Sequence, residues 1–142
     1  MDANLDAQST RQLKYRRWLR LAAIMLGVGI LAWLPFEESH ENWVVFFAVA
    51  IAVLSAAAAL LRWAGPGPRL WLIYPLITGA AGALVTPLAL LLMAVKSGIH
   101  GHSAPDYTPA QVSSVLLRTP LWLVSGLLIG LGMAVLRRWR SG

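Results

Sequence analysis

The residues best suited to chemistry lie in one segment between two apolar stretches of the chain. His100 and His102 are separated by a single residue, and Asp106 follows four residues later. Imidazole and carboxylate groups are the ligands that zinc and copper accept where no cysteine is present, and this chain has none. The third histidine, His40, could complete the set if its loop met this one. The spacing predicts a candidate Zn or Cu site formed by His100, His102, His40 and Asp106.

The same residues have two other interpretations. Histidine titrates near neutral pH, so the loop could sense pH or take part in proton-linked transport. Alternatively the loop is purely structural and needs no cofactor. In that case Asp106 holds the loop through a nearby cation, and we predict an ion pair between Asp106 and Arg118 on the outer side.

Four apolar stretches surround these residues, and each is long enough, or nearly so, for a membrane-spanning helix. A bilayer core of about 30 Å requires about 20 mostly apolar residues. The chain is 58% hydrophobic and 13% charged, whereas soluble domains carry about 25% charged residues. Barrel strands would alternate in polarity, and these Leu- and Ala-rich stretches do not. We therefore predict an all-α polytopic membrane protein with four transmembrane helices, at about residues 19–36, 43–61, 70–95 and 120–136.

Residues 1–18 are expected to form an N-terminal cytoplasmic arm, and residues 19–142 the four-helix transmembrane domain. The outer loop between the third and fourth helices is unusually long. Within it, Thr108 offers a capping hydroxyl and Pro109 follows at a first-turn position, which is typical of a helix start. Val112 and Val115 then fall on one helical face. The pattern predicts a short amphipathic helix in this loop.

The distribution of lysine and arginine predicts the orientation. Ten of the 12 lie in the arm, the second loop and the C-terminal tail, while Lys96 and Arg118 lie on the other side. Because cytoplasmic loops are enriched in these residues, both termini should face the cytoplasm. The cations would then attract anionic lipid rather than nucleic acid. The layout resembles, in architecture alone, that of small four-helix membrane proteins of bacteria, so we expect a multi-pass protein of the inner membrane.

Small residues mark two helix faces at which another helix could approach closely. The third helix has Gly79 and Gly82, and the fourth has Gly126 and Gly130. Packing within the chain is the first interpretation of these faces. An interface with another membrane subunit, or with a second copy of this chain, is the alternative.

The predicted spans contain no charged residue, whereas proton pathways, ion sites and intramembrane catalysis usually depend on one. The sequence also lacks a phosphate loop, a dinucleotide fingerprint, a nucleophile elbow and a zinc-protease helix. These absences favour a non-catalytic accessory subunit that packs against a larger membrane protein complex. One alternative is a small transporter or metal-binding membrane protein that uses the outer histidines. Another is an interfacial membrane enzyme built from His100, His102, Asp106 and Arg118.

Overall fold

The computed structural model describes residues 2–36, 40–63, 70–100 and 106–141, and these residues form five α-helices and no strand. The predicted all-α class is confirmed for this part of the chain. In order, the helices are α1 (Asp2–Trp33), α2 (Glu41–Trp63), α3 (Leu70–His100), α4 (Pro109–Leu117) and α5 (Thr119–Ser141).

Three helical segments are long and apolar enough to cross a membrane, namely Glu41–Trp63, Trp71–His100 and Pro109–Trp139. The last of them combines α4 with α5. The first predicted span is not among them because α1 ends at Trp33, so the 18 residues before that end include three arginines. A crossing by α1 therefore stays a prediction. Its helix continues back through the predicted arm to Asp2.

The long helices run antiparallel to their neighbours, which gives the bundle two distinct ends. At one end, Trp33 of α1 packs against Phe47 of α2 with ring centroids 5.2 Å apart. At the other, Arg137 near the end of α5 donates a hydrogen bond to the hydroxyl of Tyr74, near the start of α3. We call these the Trp33 end and the Arg137 end.

The hydrophobic core extends inward from the Trp33 end. Val44 and Ala89 are completely buried there, and Val115 of α4 is almost so. Since α1, α2, α3 and α4 all contribute side chains to this one cluster, burial of apolar surface draws α4 onto the bundle. The short helix therefore covers the Trp33 end.

The start of α4 follows the predicted pattern. The amide of Gln111 donates to the Thr108 hydroxyl at 3.3 Å, and the Gln111 side chain accepts from the Thr108 amide at 2.8 Å. This reciprocal capping box satisfies two amides that have no partner within the helix. The helix stops at Leu117, and Arg118 alone separates it from α5. Arg118 is therefore held at a helix junction rather than in an open loop.

The four predicted packing glycines all lie in the contact between α3 and α5. A Cβ at Gly126 would lie 2.3 Å from the Thr78 carbonyl oxygen, and one at Gly82 would lie 2.2 Å from that of Trp122. Such distances leave no room for any side chain. Gly79 and Gly130 face the opposite helix in the same way. The glycines thus serve packing within the chain, and this face is already occupied rather than open to another subunit.

The third helix extends beyond the predicted span and includes a lysine. The predicted span ended at residue 95, but α3 continues to His100. Lys96 therefore lies inside a helix that is apolar enough to cross a membrane. The predicted span at 70–95 contains no charged residue, but the helix that carries it also includes Lys96. Its side chain is fully buried among the other helices.

Candidate functional site

The polar cluster at the Trp33 end is built around Lys96, one turn before the end of α3. Its side chain is fully buried, and its Nζ lies 4.1 Å from the centroid of the Trp33 ring. A buried ammonium group is costly unless other groups compensate its charge. The electron-rich face of tryptophan supplies part of that compensation. This contact also joins the end of α3 to the end of α1.

His100 lies four residues after Lys96, and so on the same face of α3. Its Nδ1 is 2.7 Å from Oδ2 of Asp106, and both side chains are only 11% exposed. A carboxylate at Nδ1 fixes the orientation of the imidazole ring and directs Nε2 to any further partner. The same arrangement is found where histidine binds a metal or acts as a general base.

Tyr107 follows Asp106 and is buried against the core. Burial, and then the neighbouring charge of Asp106, raise the pKa of the Tyr107 phenol to about 12. Within the described part of the chain, its hydroxyl has no hydrogen-bond partner. Tyr107 therefore stays protonated at neutral pH, with a neutral hydroxyl that no described residue engages.

A second polar group joins α2 to α4. The Glu41 carboxylate accepts from the Ser114 hydroxyl at 2.8 Å and from the Arg118 guanidinium at 3.0 Å. Each of its two oxygens thus has a partner, which fixes the first residue of α2 against the end of α4. The structure therefore differs from the predicted Asp106–Arg118 pair. Arg118 forms its ion pair with Glu41 instead, because the start of α2 lies beside the junction of α4 and α5.

The structure brings two of the four predicted metal ligands together, His100 and Asp106. His40 is exposed just before α2, where its carbonyl accepts a hydrogen bond from the Trp43 amide at 3.2 Å. His102 lies outside the described residues. Across the described ranges, no group of three or more metal-ligating side chains is formed.

The set proposed for an interfacial enzyme is also divided in the structure. Arg118 is engaged with Glu41, whereas His100 and Asp106 form a separate pair nearer to the end of α3. Chemically, the cluster can orient an imidazole, present a neutral phenol and hold a buried cation. The Lys96–Trp33 contact ties the end of α3 to the end of α1, and the His100–Asp106 contact fixes the segment that follows α3.

Sequence reasoning did not predict the contact of Lys96 with Trp33 or that of Glu41 with Ser114. The spacing of Lys96 and His100 was a usable signal, since residues four apart share a helix face. The pairing of Glu41 with Arg118 had no such signal, because the two residues are separated by 77 positions. The chain matches no family model, no curated protein and no solved structure.

Proposed function

We propose that the protein is a multi-pass inner-membrane protein that acts as a non-catalytic accessory subunit of a larger membrane complex. In this proposal α1 forms the fourth span, and both termini face the cytoplasm. The proposal depends mainly on one observation, the exposed apolar face of α1. Among the described helices, α1 lies along α2 alone, and only its end reaches α3, where Trp33 contacts Lys96.

The exposed face of α1 has the periodicity of a helix-docking surface. Five large apolar side chains on it are between 53% and 70% exposed. Their spacing of three and four residues places them along one side of the helix. They are Leu21, Ile24, Met25, Val28 and Leu31.

The short apolar length of α1 also favours a protein neighbour over lipid. Only 13 residues separate Arg20 from the end of the helix at Trp33, which corresponds to about 20 Å of helix. A span shorter than the bilayer core is accommodated at some cost, and packing against other helices is one way to reduce it. A partner subunit on the exposed face of α1 would provide that packing.

The contacts at the Trp33 end support a structural rather than a catalytic role. Lys96 lies over Trp33, His100 is bonded to Asp106 and Glu41 to Arg118. The first and third of these contacts join different helices, and the second fixes the segment that follows α3. Such contacts hold the helix ends in a fixed arrangement, which suits a scaffold that presents one constant surface.

Native mass spectrometry after gentle extraction from the host's own membranes tests this proposal. We expect a heterogeneous complex with defined partner masses. Val28→Trp, on the exposed face of α1, should remove the partner. Val135→Trp, on an equally exposed part of α5, should retain it. A bare monomer or a homo-oligomer for the unaltered protein would contradict the accessory role.

The hydrogen bond from His100 to Asp106 favours metal binding as a second candidate function. With Asp106 at Nδ1, the ring can offer Nε2 to Zn²⁺ or Cu²⁺, and His102 is the predicted second ligand. Titration of the purified protein with each metal tests it. Loss of stoichiometric binding in His100→Ala and His102→Ala, with binding kept in His40→Ala, would assign the site to the long loop. If the unaltered protein binds neither metal, this candidate is eliminated.

A further inference from the structure

A cleft of about 410 Å³ lies between α1 and α2, in the half of the bundle nearest the Arg137 end. Three arginines from two helices line it. Arg16 and Arg20 are one turn apart on α1, and Arg62 lies in the last turn of α2. The fold thus places three exposed arginines around one cleft.

These three cations have no acidic partner in the described structure. Among the side chains that the structure describes, no carboxylate lies within ion-pair distance of Arg16, Arg20 or Arg62. Like charges around one cleft repel one another, and the repulsion grows as the surroundings become less polar. An anion bound in the cleft would relieve it.

The remainder of the lining is almost entirely apolar. Leu19 and Ala23 line the cleft from α1, and Leu54, Ala58 and Leu61 line it from α2, with the hydroxyl of Ser55 between them. An inorganic anion would leave this surface uncovered. A molecule with both an anionic group and a hydrocarbon chain would cover it.

The height of the cleft along α1 places it near one membrane boundary. Arg20 lies about 20 Å along the helix from Trp33, and Arg16 about 26 Å. The hydrocarbon core of a bilayer is about 30 Å thick. Because helical side chains tilt toward the N-terminus, both guanidinium groups lean toward the headgroup layer on the cytoplasmic side. Long basic side chains commonly reach lipid phosphate in this way.

We propose that this cleft is a binding site for an anionic phospholipid. The lipid phosphate would lie among Arg16, Arg20 and Arg62, and one acyl chain would follow the apolar surface of Leu54 and Ala58. Guanidinium forks match phosphate oxygens in geometry and charge. The inference rests on the membrane insertion in the proposed function, but not on the accessory role.

Lipid titrations of delipidated protein, followed by native mass spectrometry, test the site. Phosphatidylglycerol and phosphatidylcholine are the anionic and zwitterionic probes, and inorganic phosphate is the soluble one. We expect tighter binding of phosphatidylglycerol than of the other two. Arg20→Gln and Arg62→Gln should each weaken its binding about fivefold, the effect of one basic residue near an anionic surface.

Arg17→Gln is the matched control, because Arg17 is adjacent in sequence but does not line the cleft. It removes the same charge and should leave phosphatidylglycerol binding unchanged. An equal loss in Arg17→Gln would show diffuse attraction and overturn the site. Ala58→Phe, which fills the apolar side, should weaken lipid binding without altering the response to inorganic phosphate. If inorganic phosphate binds as tightly as the lipid, the lipid assignment is wrong.

Flotation with vesicles distinguishes the absence of this lipid site from the absence of membrane insertion. Protein that floats with phosphatidylglycerol–phosphatidylcholine vesicles but shows no preference for phosphatidylglycerol would contradict the site alone. Protein that does not float with any vesicle would contradict membrane insertion, and with it the proposed function.

Discussion

Lys96 shows how much a single buried residue depends on its neighbours. A lysine in an apolar helix requires groups that compensate its charge, and Trp33 reaches it from another helix at 4.1 Å. His100, one turn further along, has Asp106 as its partner. The chemical character of this end of α3 is therefore set by contacts with other segments rather than by its own sequence.

The raised pKa of Tyr107 predicts a pH dependence of stability. The folded state holds the phenolic proton more tightly than the unfolded chain, whose tyrosine has its ordinary pKa of 10.0. This contribution to stability is complete below about pH 10 and is lost as the pH rises toward about 12. In Tyr107→Phe, the thermal unfolding midpoint should decrease less between pH 10 and pH 12 than it does in the unaltered protein. Tyr15→Phe, at an exposed tyrosine, should leave this pH dependence unchanged. If Tyr107→Phe also leaves it unchanged, the pH dependence does not arise from Tyr107.

The Glu41–Arg118 contact is expected to contribute little free energy. Arg118 is 41% exposed, and exposed ion pairs typically contribute about 0.2–1 kcal/mol. A double-mutant cycle of Glu41→Gln with Arg118→Met, measured by unfolding in detergent, should give a coupling in this range. The corresponding cycle of Arg118→Met with Asp106→Asn is the comparison. A larger coupling free energy in that cycle would show that Arg118 pairs with Asp106, as predicted from the sequence, rather than with Glu41.

At the scale of helices, α3 and α5 form the most extensive contact of the bundle. Their backbones approach closely because glycines stand where any side chain would collide. Close backbone approach of this kind is a common basis of helix association in lipid, where the hydrophobic effect does not act between helices. The glycine faces are therefore the main determinant of how α5 docks.

Gly126→Ala tests this contact directly. The added Cβ would lie 2.3 Å from the carbonyl oxygen of Thr78, so the helices must separate. We expect a loss of about 1–3 kcal/mol, the usual cost of overpacking, seen as a lower unfolding midpoint in detergent. Gly132→Ala is the control on the same helix, because nothing lies within 4 Å of its added Cβ. Because alanine has a higher helix propensity than glycine, Gly132→Ala should not lower the midpoint, and a similar loss in both variants would contradict the contact as the cause.

At the scale of the whole molecule, the two ends of the bundle differ in charge. At the Trp33 end the acidic Glu41 and Asp106 balance the basic Lys96 and Arg118. The described side chains near the Arg137 end include six arginines, Arg16, Arg17, Arg20, Arg62, Arg137 and Arg138. This asymmetry agrees with the enrichment of basic residues on the cytoplasmic side. It supports a crossing by α1, whose arginines would otherwise lie on the same side as Glu41.

Cysteine accessibility decides whether α1 crosses the membrane. The chain has no cysteine, so single substitutions can be labelled without background. With four spans, Lys14→Cys and Ser141→Cys should react with an impermeant reagent from the cytoplasmic side, and His40→Cys from the opposite side. With only α2, α3 and α5 crossing, Lys14→Cys would instead react from the same side as His40→Cys. That result would contradict the fourth span and the predicted orientation of the N-terminus.

Most of the helical architecture could be predicted from the sequence because its signals are local. Long apolar runs mark α2, α3 and α5, and Thr108, Pro109 and Gln111 mark the start of α4 within a few residues. The end of α3 could not be placed from these signals. A lysine after an apolar run normally marks a membrane boundary, and the ring that allows Lys96 to be buried belongs to a residue 63 positions earlier.

The sequence by itself determined the helical class, the positions of the apolar helices and the asymmetry of charge, since all three depend on residues that are close together in the sequence. Only the tertiary structure decided which groups meet. It paired Arg118 with Glu41, placed the glycines of α3 against those of α5, and directed arginines of α1 and α2 to one cleft. These pairings depend on how the helices are rotated and offset against one another. That geometry arises from burial and close packing over the whole bundle, which no short stretch of sequence records.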